Sequence, residues 1–249
     1  MTYTAAQAGA EIVRLASEFL NLRETSNNAA WDNPDTAGQD PAATRLRQLL
    51  ETTGWQAGWP YCMAFCKAIY MQAYRNLGAS PGVLRLIAQR FTPSVMMSYR
   101  NSGAFAQRKV AIQGAIFFMQ KGDTPYGHAG LVVMPGQVNF STIEGNTSPS
   151  PGSAQADREG DGVYKKVRSL DFTKKSGLWL RGFLNPLSAD EVAGLPSIGP
   201  KPGTRSRGAS AAQRGKVTRS SRKVAASGRT KRTPARRRSA RSPGPRKKR

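Results

Sequence analysis

Ile12, Leu15, Ala16, Phe19 and Leu20 recur at the spacing of a helix with one apolar stripe, which predicts a first helix ending near Leu22. A polar stretch from Arg23 to Gln39 follows, rich in Asn, Asp, Thr and Gly. Asp40-Pro41 then supplies a helix N-cap with proline at the first helical position, Leu46, Leu49 and Leu50 form a short stripe, and Gly54 is placed to stop it. A third helix is predicted after Trp59-Pro60, where Cys62, Phe65, Cys66, Ile69 and Ala73 repeat at helical spacing. The period then changes. Ala115 to Met119, Ala129 to Met134, Val138 to Ile143, Val163 to Val167 and Leu178 to Phe183 are short apolar or alternating runs broken by Gly, Pro, Asp and Ser, which predicts antiparallel strands. Helices first and strands afterwards make the expected fold class α+β, with N-terminal helices packed on a C-terminal antiparallel sheet.

Charge divides the chain differently. Of its 38 Lys and Arg, 19 lie in residues 201–249 with no Asp or Glu among them, so most of the formal net charge of +23 belongs to the last fifth of the 249 residues. That segment also lacks Phe, Tyr and Trp, and cannot bury enough apolar surface to offset its ordering entropy. The expected organisation is a folded domain over 1–186 and a disordered cationic tail rich in Lys, Arg, Pro, Ser and Ala over 187–249. A polyanion partner for residues 201–249 follows, either DNA or anionic envelope polymers, without the aromatic side chains that would stack on bases. The texture of Lys231-Arg232-Thr233-Pro234 and Ser242-Pro243-Gly244-Pro245 is similar to histone-H1-like tails.

No run of about eighteen apolar residues is present to span a bilayer, and Met1 to Ala10 carries no Lys or Arg ahead of an apolar run as a secretory signal would. The expectation is a protein made soluble in the cytoplasm, most simply a monomer.

Candidate chemistry is confined to few residues. His128 is the only histidine, and Cys62 and Cys66 are the only cysteines. Cys62 falls in the first turn of the third predicted helix, where unpaired N–H groups and the macrodipole favour a thiolate; Cys66 lies one turn deeper and gains less. Gly136, in the natural turn Pro135-Gly136, lies midway between His128 and Glu144, so the simplest hairpin pairs these two residues directly and lets the carboxylate orient the imidazole. Asn146 would share that face. Asp32, Asp35 and Asp40 are too irregularly spaced for an EF-hand and read as a solvated loop. Cys62, Cys66 and His128 match no common zinc spacing, so no metal and no cofactor is expected.

Trp59-Pro60-Tyr61-Cys62-Met63-Ala64-Phe65, His128-Ala129-Gly130-Leu131-Val132, Thr142-Ile143-Glu144-Gly145-Asn146-Thr147 and Asp161-Gly162-Val163-Tyr164, with Leu22-Arg23-Glu24 ahead of them, resemble the ordered motifs of CHAP domains. These are cysteine, histidine-dependent amidohydrolases/peptidases of the papain-like superfamily, related to NlpC-type cell-wall hydrolases. The resemblance spans roughly Glu18 to Pro186 and implies a papain-like fold with Cys62 as nucleophile, His128 as general base and then acid, and Glu144 orienting His128. It implies that Asn146 positions the imidazole or helps hold the tetrahedral intermediate, and that the Cys62 N–H contributes to an oxyanion hole.

The implied activity is a peptidoglycan hydrolase, either an N-acetylmuramoyl-L-alanine amidase or an endopeptidase of the peptide stems or bridges. It would act at the bacterial cell wall after lysis, as a virion component or by injection. The alternatives are a nucleic-acid-binding or packaging protein on a degenerate CHAP scaffold, suggested by the tail, and a cysteine peptidase acting on proteins. Cleavage preference is expected to reside in groove loops such as Gly122 to Gly127 and Ser148 to Gly160.

Overall fold

A computed structural model describes residues 2–149, 160–196 and 198. Helix α1 (Ala5–Ser17) opens on a capping box in which the Thr4 hydroxyl accepts from the Gln7 N–H and the Gln7 side chain accepts from the Thr4 N–H; it buries Ala8, Ile12, Leu15 and Ala16. It stops before the predicted end near Leu22. Phe19 and Leu22 stay in the core through a turn closed by Asn21 at φ 66°, whose N–H donates to Val163 O at 2.9 Å.

The polar stretch contributes two short edge strands, β1 (Arg23–Ser26) and β2 (Ala30–Asp32), of which only Trp31 is buried. So little burial leaves no apolar alternation to read in the sequence. Helix α2 (Pro41–Glu51) starts as expected, with the Asp40 carboxylate accepting from the Ala42 N–H at 2.8 Å.

Helix α3 (Cys62–Asn76) is apolar nearly all round because it is enclosed, lying between α1, α2 and the sheet. Its few polar atoms are spent internally. The Tyr70 hydroxyl donates to Gly114 O at 2.7 Å, and the Tyr74 hydroxyl both donates to Leu187 O at 2.9 Å and accepts from Leu187 N–H at 2.7 Å. Two short helices with no apolar stripe long enough to read follow: α4 (Pro81–Ala88) and α5 (Val95–Ser102), the latter continued by a 3-10 turn over Gly103–Ala106. Both have serine N-caps, Ser80 and Ser94.

The five predicted strands all form: β3 (Ile116–Lys121), β4 (Gly127–Met134), β5 (Asn139–Thr147), β6 (Gly162–Ser169) and β7 (Leu178–Leu184). With the two edge strands they make a seven-stranded antiparallel sheet in the order β2-β1-β6-β5-β4-β3-β7. The fold class is therefore α+β. Ile116, Phe118, Ala129, Leu131, Ile143 and Val163 join the helices in the main core, while Phe117, Val132, Phe140, Leu180 and Phe183 form a smaller cluster from alternate positions.

The expected boundary at residue 186 falls too early. A last helix, α6 (Ala189–Ala193), is held by a Ser188–Glu191 capping box, and Leu187, Val192 and Leu195 pack into the main core. Arg90 adds a hydrogen bond to Pro196 O at 2.9 Å. Acidic and apolar residues in this stretch separate it from the cationic segment; of the disordered tail expected over 187–249, residues 197 and 199–249 lie outside the described residues. No helix among the described residues is long and apolar enough to cross a membrane.

Candidate active site

The site begins with how α3 is entered. Tyr61, the N-cap, has its ring fully buried edge-on to Trp31 at 5.1 Å, and its hydroxyl accepts from Trp31 Nε1 at 3.0 Å. Its N–H donates to Asn146 Oδ1 at 3.2 Å. The loop that aims Cys62 is thus pinned from β2 on one side and the end of β5 on the other. Cys62 lies in the first turn, whose N–H groups have no intrahelical carbonyl partner and no capping side chain. Such a turn offers donors and a positive dipole end to an oxyanion.

His128 stands near the start of β4, fully buried, with Nε2 at 2.8 Å from Glu144 Oε2. The two residues come together by a different register from the one expected. β4 and β5 pair Leu131 with Ile143 and Val132 with Thr142, and a bulge separates these from the Met134–Ser141 pair. Continued to the site, this register places Glu144 opposite Gly130, two residues from direct pairing with His128. A shift by two keeps every side chain on its face, whereas a shift by one would have parted them.

Gly130 makes the diagonal reach possible. A Cβ there would lie 2.6 Å from Glu144 Cγ and 2.8 Å from the Phe117 ring, so only a glycine lets the carboxylate lean across to the imidazole. The variant Gly130→Ala is expected to cost about 1–3 kcal/mol in denaturant unfolding. It should also lower the His128 titration midpoint seen by NMR, because the displaced carboxylate no longer holds the proton. A wild-type midpoint in the variant would show that the glycine is dispensable.

Glu144 is also held from the other side. Arg168 Nε donates to Oε1 at 2.8 Å, a second guanidinium nitrogen donates to Oε2, and the Thr142 hydroxyl donates to Oε1 at 2.6 Å. Arg168 lies on β6 opposite Phe140, and only 9% of it is exposed. Burial alone would push the Glu144 carboxyl up, but the hydrogen bonds and charges of Arg168 and His128 outweigh it and hold the group ionised far below the usual carboxylate range.

For His128 burial pulls the pKa down. Hydrogen bonding and charge from Cys62 and Glu144 overcome that and push it up to about 9. With Nε2 committed to Glu144, the other ring nitrogen, Nδ1, remains for the sulfur; it is buried and makes no hydrogen bond of regular geometry. The ring is poised as an imidazolium between a thiol and a carboxylate.

A stability signature follows. The folded-state value lies above the ordinary 6.5, so the protonated ring favours the fold. Its contribution is complete below about pH 6.5 and is lost as the pH rises through about 9, a difference on the order of 3 kcal/mol. Denaturant titrations stepped from about pH 6 to about pH 10 should show this loss in wild type and not in His128→Gln. Equal slopes in the two proteins would contradict the assignment.

Cys66, fully buried one turn along, has its thiol pushed well above the ordinary value, first by burial and then by the charges of Cys62 and Glu144. It is a core residue. Asp32 and Asp40 spend their carboxylates on backbone N–H groups, Asp32 on Asn33 and Asp40 and Asp40 on Ala42.

Of the four expected site residues, Cys62, His128 and Glu144 act on one another, and Asn146 braces the backbone that presents Cys62. Arg168 was not foreseen. Its only trace in the sequence is its place in the alternating strand after Tyr164, on the face that Phe140, Thr142 and Glu144 share.

Cys62 lines a cleft of about 370 Å³ between Trp59-Pro60, the leading end of α5 at Ser94 and Val95, and the β3–β4 hairpin at Pro125 and Tyr126. Trp59 and Tyr126 are 42% and 61% exposed at its rim. The hairpin loop expected to line a groove does so; most of the second loop, residues 150–159, lies outside the described residues. Comparison with protein-family models, with curated proteins and with solved structures yields no match for this chain.

Proposed function

We propose that this chain is a cysteine amidohydrolase of CHAP type with a papain-like arrangement, acting on peptidoglycan as an amidase or as an endopeptidase of the stems or bridges. The observation that carries the reading is the single constellation of Cys62 at the leading end of α3, the His128 imidazole beside it, and Glu144 on the far ring nitrogen, set at an open cleft. The order of the motifs in the sequence supplies the substrate class.

In the proposed reaction the Cys62 thiolate attacks the amide carbonyl carbon, and the oxyanion forms against the first-turn N–H groups of α3. The His128 imidazolium gives its proton to the nitrogen as the C–N bond breaks, leaving a thioester on Cys62. The neutral ring then takes a proton from water, which attacks the thioester. The carboxylate product departs, and the ion pair is restored with the ring protonated again. Glu144 keeps the ring in one orientation throughout and stabilises its charged form; Arg168 keeps Glu144 ionised. Every step uses side chains or backbone of this chain.

The cationic segment of residues 201–249 fits the same reading, since it would concentrate the enzyme on an anionic envelope. Mass spectrometry of the fragments released from purified bacterial cell wall tests the proposal. The expected result is soluble fragments with new termini that name one amide bond; a wall left intact at enzyme concentrations that saturate binding rejects it.

A further inference from the structure

The cleft at Cys62 has a neighbour. Both are built from α5 on one side and the β3–β4 hairpin on the other, and they share Pro125 as their partition. No Asp, Glu, Lys or Arg lines the first. The second, about 350 Å³, is walled by Arg100 from α5 and Arg181 from β7, with Gln120 and Asp123 from the hairpin.

Arg181 is held flat and in place. Its guanidinium lies 4.5 Å from the Trp179 ring centroid and 5.5 Å from that of Tyr99, and it donates to Gln120 Oε1. Arg100 anchors itself through Nε to Met96 O at 3.2 Å. Neither forms an ion pair among the described residues, although Asp123 stands in the same wall. Two preset guanidiniums without an acidic partner, beside one exposed carboxylate, leave an excess of fork-shaped donors facing a cavity.

We infer that this second cleft is a carboxylate subsite of the substrate groove, taking an acidic group of a peptide whose uncharged portion lies over Cys62. The inference rests on the hydrolase reading for its substrate and names where that substrate's charge goes. The probe is a disaccharide-peptide fragment released from bacterial wall, offered either with its carboxylates free or with them converted to amides. Binding is measured by calorimetry to the full chain carrying Cys62→Ala, so that nothing is consumed.

Amidation should weaken binding about tenfold or more, and Arg100→Gln with Arg181→Gln should weaken the free-acid probe by a similar factor while leaving the amidated probe unchanged. Arg100→Gln alone, at an exposed position, should weaken the free-acid probe several-fold without touching the stacked Arg181. Equal affinity for the two probes, equal loss of both in the arginine variants, or no measurable binding overturns the subsite. Wall cleavage by proteins that keep Cys62 is scored in parallel. Absence of cleavage by the protein that keeps Cys62 and both arginines, with the probe pattern intact, counts against the hydrolase reading and leaves the capture of the acidic group standing.

Discussion

Alanine in place of Cys62 is expected to reduce the release of cell-wall fragments by at least about 10⁴-fold while leaving the fold intact. The reason is positional. The Cys62 thiol acts directly on the imidazole that Glu144 braces, and the other thiol, on Cys66, is fully buried with its pKa pushed up. A chemical test needs no substrate: iodoacetamide should alkylate Cys62 of the folded protein and spare Cys66, and peptide mass mapping reads which sulfur reacted. Alkylation of Cys66 ahead of Cys62, or a Cys62→Ala variant that releases fragments at the wild-type rate, would remove the sulfur from the mechanism.

The second large effect concerns a residue that touches no reacting atom. Arg168→Met is expected to destabilise the fold by about 3–5 kcal/mol, because it strips a fully buried carboxylate of its main counter-charge. Glu144 would then take up a proton far more readily, and a neutral carboxyl no longer holds the His128 proton. Turnover should fall along with stability, and its pH profile should move to lower pH. Pairing Arg168→Met with Glu144→Gln should recover much of the lost stability, since the orphaned charge is gone, but none of the activity. This split separates a positioning role from a merely structural one. Arg168→Lys should sit between, keeping the charge and losing the fork that reaches both carboxylate oxygens. Unfolding and pH profiles of Arg168→Met that match wild type would show that Glu144 needs no such partner.

Sequence reasoning reached the site through scarcity and periodicity. One histidine, two cysteines and a helix opening at Cys62 left few ways to assemble thiol chemistry, and the apolar alternation located every strand that carries a site residue. It placed His128 and Glu144 on one face but not in the right register, because the β4–β5 turn is centred between Gln137 and Val138 rather than on Gly136, a displacement of three residues in the pairing of which the bulge between Val132 and Met134 takes back one. Gly130 was legible only as part of a motif; its purpose appears once Glu144 is seen to lean over it. Arg168 was hidden by distance, entering through the pairing of β6 with β5, which local pattern does not specify. The edge strands β1 and β2 and helices α4 and α5 lacked a sustained apolar stripe, yet Ser94, the N-cap of α5, turns out to line the cleft. Caps at Ser80-Pro81 and Ser94 have the same chemistry as Asp40-Pro41 and could have revealed both helices.

The interior placement of the Arg168–Glu144–His128 set has a consequence for how the molecule responds to ionic strength. Mobile ions within a Debye length of about 8 Å at physiological salt screen exposed charges and barely reach enclosed ones. Added sodium chloride would therefore loosen whatever residues 201–249 hold while leaving the proton economy around the sulfur unaltered. On the proposed reading, salt alone should therefore separate capture from chemistry.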